Sequence, residues 1–205
     1  MLTQLKTGPD IDKALIKMAD GIYKKNKDEK PILIGIRSGG VPMATRLAKL
    51  LAERERYGSM PKLGIVDINL YRDDWNIVRC FPKVGPTNIP YSLDNSRVVL
   101  VDDVLYTGRT VKAALGVLND FGRPAKVELA IMADRGDRQM PIQPDYCGIR
   151  IDGVISGKVI VDFTEGDNSK GITVVGQSPG QQGFKVTDQE PLGGGIFVDA
   201  LNPAT

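Results

Sequence analysis

Arg97-Val-Val-Leu-Val-Asp-Asp-Val-Leu-Tyr-Thr-Gly-Arg-Thr110 decides how the rest of the chain is read. Four apolar residues, Val98 to Val101, follow one another without alternation, which is the pattern of a strand covered on both faces in a parallel sheet. Asp102 and Asp103 come next, where that strand is expected to emerge. A short turn, Tyr106 to Thr110, then gives way to helical periodicity, with Val111, Ala114, Leu115, Leu118 and Phe121 on one stripe. Strand, Gly/Thr turn and helix N-terminus together predict an anion site. Unpaired backbone N–H groups and the positive end of the helix dipole converge on the turn, and Thr107 and Thr110 add hydroxyl donors. Two carboxylates beside such a cradle accept hydrogen bonds from a ribose diol or help to hold Mg²⁺ near phosphates. The stretch therefore reads as a sugar-phosphate site; the plainer alternative is an acidic βα corner with ordinary capping.

A second unit of the same kind lies upstream. Ile32, Leu33, Ile34 and Ile36 read as a buried strand running into Arg37-Ser38-Gly39-Gly40, and a helix follows with Val41, Ala44, Leu47, Ala48 and Leu51 inward and Pro42 in its first turn. Two strand–glycine turn–helix units place two anion-seeking loops on one edge of a parallel α/β sheet. Before them, Asp10 is the expected N-cap of a helix carrying Ile11, Ala14, Leu15, Met18 and Ile22 on its inner face, closed by Lys24, Lys25 and Lys27. Leu63 to Leu70 alternates as a strand. From Trp75 to Ser96 no period is visible and prolines punctuate the chain, so a functional loop is expected there. Lys126 to Ala133 gives another strand, ended by Asp134-Arg135-Gly136, and Lys158–Val161 with Gly171–Val175 reads as a hairpin.

Composition narrows the chemistry. The chain has 205 residues, 41% hydrophobic and 25% charged, with a net charge of +2, which suits one globular domain and does not announce a nucleic-acid binder. Cys80 and Cys147 are far apart with no metal spacing, which points to a reduced, cytoplasmic chain. No run approaches the ~20 apolar residues of a membrane span. Histidine is absent, so Ser-His-Asp and Cys-His catalysis are excluded. Chemistry must come from carboxylates, arginines, backbone amides or a hard cation. No Walker loop occurs.

Val99-Leu-Val-Asp-Asp-Val-Leu-Tyr-Thr-Gly-Arg-Thr110 resembles the phosphoribosyl pyrophosphate (PRPP) signature of type I phosphoribosyltransferases. It is most similar to one branch, the PyrR family, pyrimidine operon regulators that often also act as uracil phosphoribosyltransferases. Leu70-Tyr-Arg-Asp-Asp74 and Asp134-Arg-Gly-Asp-Arg-Gln-Met-Pro-Ile142 resemble two further family blocks in family order, and the resemblance spans roughly residues 8 to 176. Two departures stand out. Asp137 occupies a position where the family has histidine, and Ser38-Gly39 stands where bulkier, more basic residues are usual.

The resemblance implies a central parallel sheet flanked by helices over residues 1–177, with a hood at about 134–165 and a mobile flap at about 73–96 that excludes water from an oxocarbenium-like sugar. Residues 178–205 remain as a Gly/Pro-rich extension, a linker with a docking strand or a disordered tail. The implied reaction is uracil plus PRPP to UMP plus pyrophosphate, with Mg²⁺. Asp102 and Asp103 would bind the ribose hydroxyls and stabilise developing positive charge, while Arg72 would meet the departing pyrophosphate. Thr107, Gly108, Arg109 and Thr110 would hold the 5′-phosphate, and Arg37, Ser38, Gly39 and Gly40 the pyrophosphate. Asp134, Arg135 and Arg138 would sit near the base, with Asp134 joining Asp102 and Asp103 around the PRPP-bound metal. Alternatives within the resemblance are a UMP/UTP-sensing RNA-binding attenuation regulator with little catalysis, or transfer to another base. RNA binding is the weaker expectation, because Asp137 and Ser38-Gly39 remove basic character. A homodimer or higher homo-oligomer is implied, with no membrane partner.

Overall fold

A computed structural model describes residues 2–27, 29–54, 57–68, 86–152, 157–163, 171–175 and 185–188. The elements in order are β1 (Leu2–Thr7), α1 (Gly8–Lys25), β2 (Ile32–Ile36), α2 (Gly40–Ala52), β3 (Leu63–Val66), β4 (Arg97–Leu105), α3 (Arg109–Leu118), β5 (Lys126–Asp134), β6 (Tyr146–Asp152), β7 (Lys158–Asp162), β8 (Gly171–Val175) and β9 (Lys185–Asp188). Six strands form the main sheet in the order β3-β2-β4-β5-β6-β9, parallel except for β9. From β2 the chain winds outward to β3, while β4 lies on the other side of β2 and β5 and β6 continue beyond it. The order thus reverses between β2 and β4, where an open α/β sheet leaves a crevice at the carboxyl ends of its strands.

The unbroken apolar run of β4 is explained by two cores, one on each face. Val99 and Val101 pack with Leu33 against Ile11, Leu15 and Leu47 of α1 and α2. Val98 and Leu100 pack with Ile32, Ile34 and Ile36 against Val111, Ala114 and Leu118 of α3. A strand buried on both sides has no polar face to alternate with.

Several expectations shift. Thr7, not Asp10, caps α1: the Thr7 N–H and hydroxyl both donate to the Asp10 carboxylate, at 2.9 and 2.7 Å, with Pro9 in the first turn. In α2 the half-buried Val41 yields its inward place to Met43, and in α3 Leu115 is exposed while Val117 is buried. Both helices keep their stripe but rotate it slightly toward the sheet. The hood is a separate antiparallel sheet, β1-β8-β7, and its first strand comes from the N-terminus. Of the segment expected there, 134–165, strand β6 instead extends the main sheet beside β5. In the expected flap, residues 73–85 lie outside the described residues, but its far end is part of the core. Asn88 bridges Ile65, and Ile89 and Leu93 are buried. Of the 178–205 extension, β9 adds an antiparallel edge strand to β6, and Lys6 pairs with its Asp188 at 2.8 Å. Among the described residues no helix is long and apolar enough to cross a membrane.

The edge of the sheet away from the crevice carries a buried polar knot. Glu128 accepts from Lys126 and Lys25 at 2.8 and 2.9 Å, and from Asn26 and Tyr146 at 3.1 and 3.0 Å. Lys25 also reaches Asp145 at 2.8 Å. Burial alone would raise the Glu128 carboxyl, but the hydrogen bonds from Lys126, Lys25 and Asn26 outweigh it and bring it down to about 2. A carboxylate depressed on folding contributes stability above its ordinary value of 4.5, and that contribution is lost as pH falls toward 2. Glu128→Gln is therefore expected to remove about 3 kcal/mol of acid-dependent stability. In urea melts at stepped pH the variant should be less stable than wild type at pH 7 and fall less steeply on acidification. Equal slopes would dismiss the role given to Glu128.

Candidate functional site

Two loops meet where the strand order reverses. β2 ends at Ile36, and Arg37-Ser38-Gly39 leads into α2; the Arg37–Ser38 peptide is cis. β4 runs further than expected, through both aspartates to Leu105, before the turn to α3. Contact between the loops is close. A Cβ on Gly39 would lie 2.2 Å from the Asp103 carboxylate, and one on Gly40 would lie 2.1 Å from the Val101 carbonyl oxygen. At Gly40 glycine is required by space rather than by backbone angle, because its neighbours are backbone atoms of β4, whereas the neighbour at Gly39 is a side chain that can rotate.

Asp102 is buried and Asp103 half-buried. Asp103 N–H donates to Asp102 Oδ1 at 3.0 Å, and Val104 N–H to Asp103 Oδ1 at 2.9 Å, so each carboxylate is held by the next amide. Burial, followed by the neighbouring charge of Asp103, pushes the Asp102 carboxyl well above the usual range. Two acids this close give a site that favours a positive or hydrogen-donating guest.

The phosphate-type turn is formed by Tyr106, Thr107 and Gly108. Gly108 adopts φ 89°, a left-handed conformation that glycine tolerates, and opens α3. Arg109 N–H approaches the Thr107 hydroxyl at 3.4 Å, and the Arg109 Nε donates to Gln139 at 2.9 Å. Thr107 and Thr110 are half-buried at the helix start.

A cavity of about 530 Å³ opens between these elements and the hood. Ser38, Gly39 and Asp103 line one wall, and β7 forms the other with Lys158, Ile160 and Asp162. The inner side chains of β7, Val159 and Val161, are buried in the core, which fixes the strand over the crevice. Lys158 and Asp162 were missed as site residues. Their strand was legible only as half of a hairpin, and nothing local says that a hairpin folds back over a loop more than 100 residues earlier.

The remaining candidates are distributed differently from expectation. Arg37 lies beside Asp67, its Nε 3.5 Å from Oδ2, at the base of the first loop. Arg72 lies outside the described residues. Arg135 stacks on Tyr106, with its guanidinium carbon 3.9 Å from the ring centroid, and donates to the Gly157 carbonyl at 2.8 Å. It thereby joins the phosphate-type turn to the approach to β7. Arg138 and Asp134 form an ion pair at 2.6 Å, and Gly136 N–H donates to the same Asp134 oxygen at 3.0 Å. Asp134 Oδ1 and Arg138 are thus tied to each other within their own loop.

Among the described residues no cluster of three or more acidic or cysteine side chains forms a metal cage. Asp102 and Asp103 supply hard oxygen donors without a full coordination shell. This suits Mg²⁺, which usually takes one or two carboxylates, several waters and substrate phosphates.

Comparison with known proteins gives one consistent result. Residues 1–163 match the family model described as a phosphoribosyl transferase domain. A protein from Akkermansia muciniphila named "Bifunctional protein PyrR" is 45% identical over 167 residues, covering 82% of this chain and 92% of that one. A protein of the same name from Thermus thermophilus is 42% identical over 165 residues, covering 80% and 90%. Among solved structures, a Leishmania tarentolae HGPRT-ase in complex with GMP superposes with a TM-score of 0.63 at 19% identity, over 86% of this chain and 97% of that one. A hypoxanthine-guanine phosphoribosyltransferase from Bacillus anthracis reaches the same TM-score at 13% identity, over 84% and 98%. These two show likeness of fold.

Proposed function

This chain belongs to the phosphoribosyl transferase family, to its PyrR branch, and from that premise we propose that it transfers the phosphoribosyl group of PRPP to uracil, giving UMP and pyrophosphate. The observation that carries this reading is the apposition of Gly39 and Asp103 in one cavity beneath β7. A glycine loop, the outer member of the acid pair and a covering strand face one another there, as a reaction that separates pyrophosphate from a sugar requires.

PRPP would lie along the carboxyl ends of β2 and β4. Thr107, Gly108, Arg109 and Thr110 would take its 5′-phosphate through backbone amides and hydroxyls at the start of α3. Arg37 to Gly40 would take the pyrophosphate. Asp102 and Asp103 would accept hydrogen bonds from the ribose hydroxyls. As the C1–oxygen bond breaks and the bond to the base nitrogen forms, positive charge builds on the sugar beside these carboxylates, which stabilise it electrostatically. The base gives its N–H proton in the same event to an oxygen of the departing pyrophosphate. Asp102 and Asp103 would also hold Mg²⁺ through the substrate, which when bound neutralises the charge on the departing pyrophosphate. Lys158 and Asp162 line the opposite wall, where the base would sit. The remaining work is positioning, which the rigid β4–α2 contact provides. As for the wider assembly, a homodimer is the proposed state.

The relatives are named bifunctional, which supports a second reading in which the same pocket senses UMP or UTP and governs RNA binding. Pyrophosphate release measured with PRPP, Mg²⁺ and, separately, uracil, hypoxanthine, guanine and adenine distinguishes the two. Turnover with uracil alone is the expected outcome, and turnover with a purine would move the base specificity. No turnover with any base, together with a UMP-induced rise in melting temperature, would leave a nucleotide sensor.

A further inference from the structure

We propose that Arg138 is a positioning residue for the 5′-phosphate loop, acting through the backbone of Leu105 and Tyr106 rather than on the base. The proposal rests on the reading of Thr107 to Thr110 as the phosphate cradle.

Arg138 lies on the loop after β5, and its side chain is only 15% exposed. Its guanidinium spreads over three sets of partners. Nη1 donates to the Tyr106 carbonyl at 2.8 Å and to the Gly136 carbonyl at 3.1 Å, with the Leu105 carbonyl at 3.5 Å. Nε donates to the Ile142 carbonyl at 3.0 Å, and Nη2 pairs with Asp134. One planar group thus ties the last residues of β4 to both ends of the 134–142 loop. That loop grips the cradle again further on: Gln139 and Met140 N–H groups both donate to the Thr107 carbonyl, at 2.9 and 3.0 Å. Arg135 N–H donates to Leu105 at 3.0 Å. The carbonyls of Leu105, Tyr106 and Thr107 are therefore all turned backward into the neighbouring loop.

The consequence lies in peptide geometry. In an extended or turning backbone, carbonyls drawn to one side leave the following N–H groups free to point to the other. With the carbonyls held behind, the Tyr106, Thr107 and Gly108 amides, each in one peptide plane with such a carbonyl, turn the other way, toward the anion site that leads into α3. Arg138 is suited to this task because its five donors form a rigid fork and it cannot lose its charge. A lysine keeps the charge but not the fork.

Separate titrations with UMP and with inorganic pyrophosphate test the proposal, since only UMP carries a 5′-phosphate. Arg138→Lys is expected to weaken UMP binding about tenfold, the scale of one charge-assisted hydrogen bond, and to leave pyrophosphate within about twofold. Removing Arg138 alone strands the buried Asp134 carboxylate, so the paired variant Asp134→Asn/Arg138→Gln provides a second form with no orphaned charge. It should show the same selective loss. Equal weakening of both ligands would make Arg138 a general fold residue and overturn the proposal, as would unchanged UMP affinity. Failure of the wild-type protein to bind UMP would instead strike the underlying reading of the cradle.

Discussion

The double substitution Asp102→Asn/Asp103→Asn reduces pyrophosphate release by at least about 10³-fold while the protein melts no lower than wild type. The rate effect follows from charge. Donors or acceptors aimed at developing charge in a water-poor site are each worth about 10² to 10³ in turnover, and two carboxylates are removed at once. The stability effect has the opposite sign. Asp102 is buried beside a second acid, so burial and mutual repulsion both oppose its ionisation. Asparagine removes that cost. It also keeps the side-chain oxygens that accept from the Asp103 and Val104 amides, so the local turn is preserved. Parallel measurement of turnover and thermal melting checks both halves. A variant within tenfold of wild type in rate would remove the acid pair from the chemistry.

The second large effect concerns the glycines of the first loop, and it separates two mechanisms. Gly40→Ala places a methyl 2.1 Å from the Val101 carbonyl oxygen, a backbone atom of the central strand that cannot step aside. The loop or α2 must move, at a cost of about 3 kcal/mol or more. Gly39→Ala places its methyl 2.2 Å from the Asp103 carboxylate, which can rotate away. Rotation forfeits the hydrogen bond from Val104 and misaims the carboxylate. Gly39→Ala should therefore melt within a few degrees of wild type yet lose about 10²-fold in turnover, since a displacement near 1 Å is enough for such a loss. Denaturation and turnover measured on both variants give the contrast. An active Gly39→Ala enzyme would refute the idea that the loop shapes the acid pair.

How much of this was legible in the sequence depends on range. The run Val98 to Val101 and the glycine turns are local signals that led to the strands and helices expected of them, although β4 continues through the aspartate pair to Leu105. Face assignments in α2 and α3 were less secure. Leu115 and Val117 flank the same stripe, and only the position of the sheet decides that Val117 turns inward. The capping of α1 was off by one turn because Thr7 and Asp10 cooperate, and either reads as a cap on its own. β1 was invisible: Thr3, Gln4, Lys6 and Thr7 make it mostly polar, and its partner β8 lies at the other end of the domain. The site divided along the same line. The hold of the Arg138 fork on the Leu105 and Tyr106 carbonyls joins residues more than 30 apart, which no local pattern announces. Lys158 and Asp162 enter the cavity only through a crossing that no spacing encodes.

The pairing of β1 with β8 sets an order on synthesis. Leu2 lies opposite Val175 and Thr7 opposite Gly171, where a Cβ on Gly171 would come within 2.5 Å of the Lys6 carbonyl oxygen. As the chain leaves the ribosome, β2, β4 and both anion loops are available long before residue 171 is made. The nascent protein can therefore pair β2 with β4 and bring the two glycine loops together first, while β1 waits unpaired for β8. Until that strand is matched, the crevice has a floor and no roof.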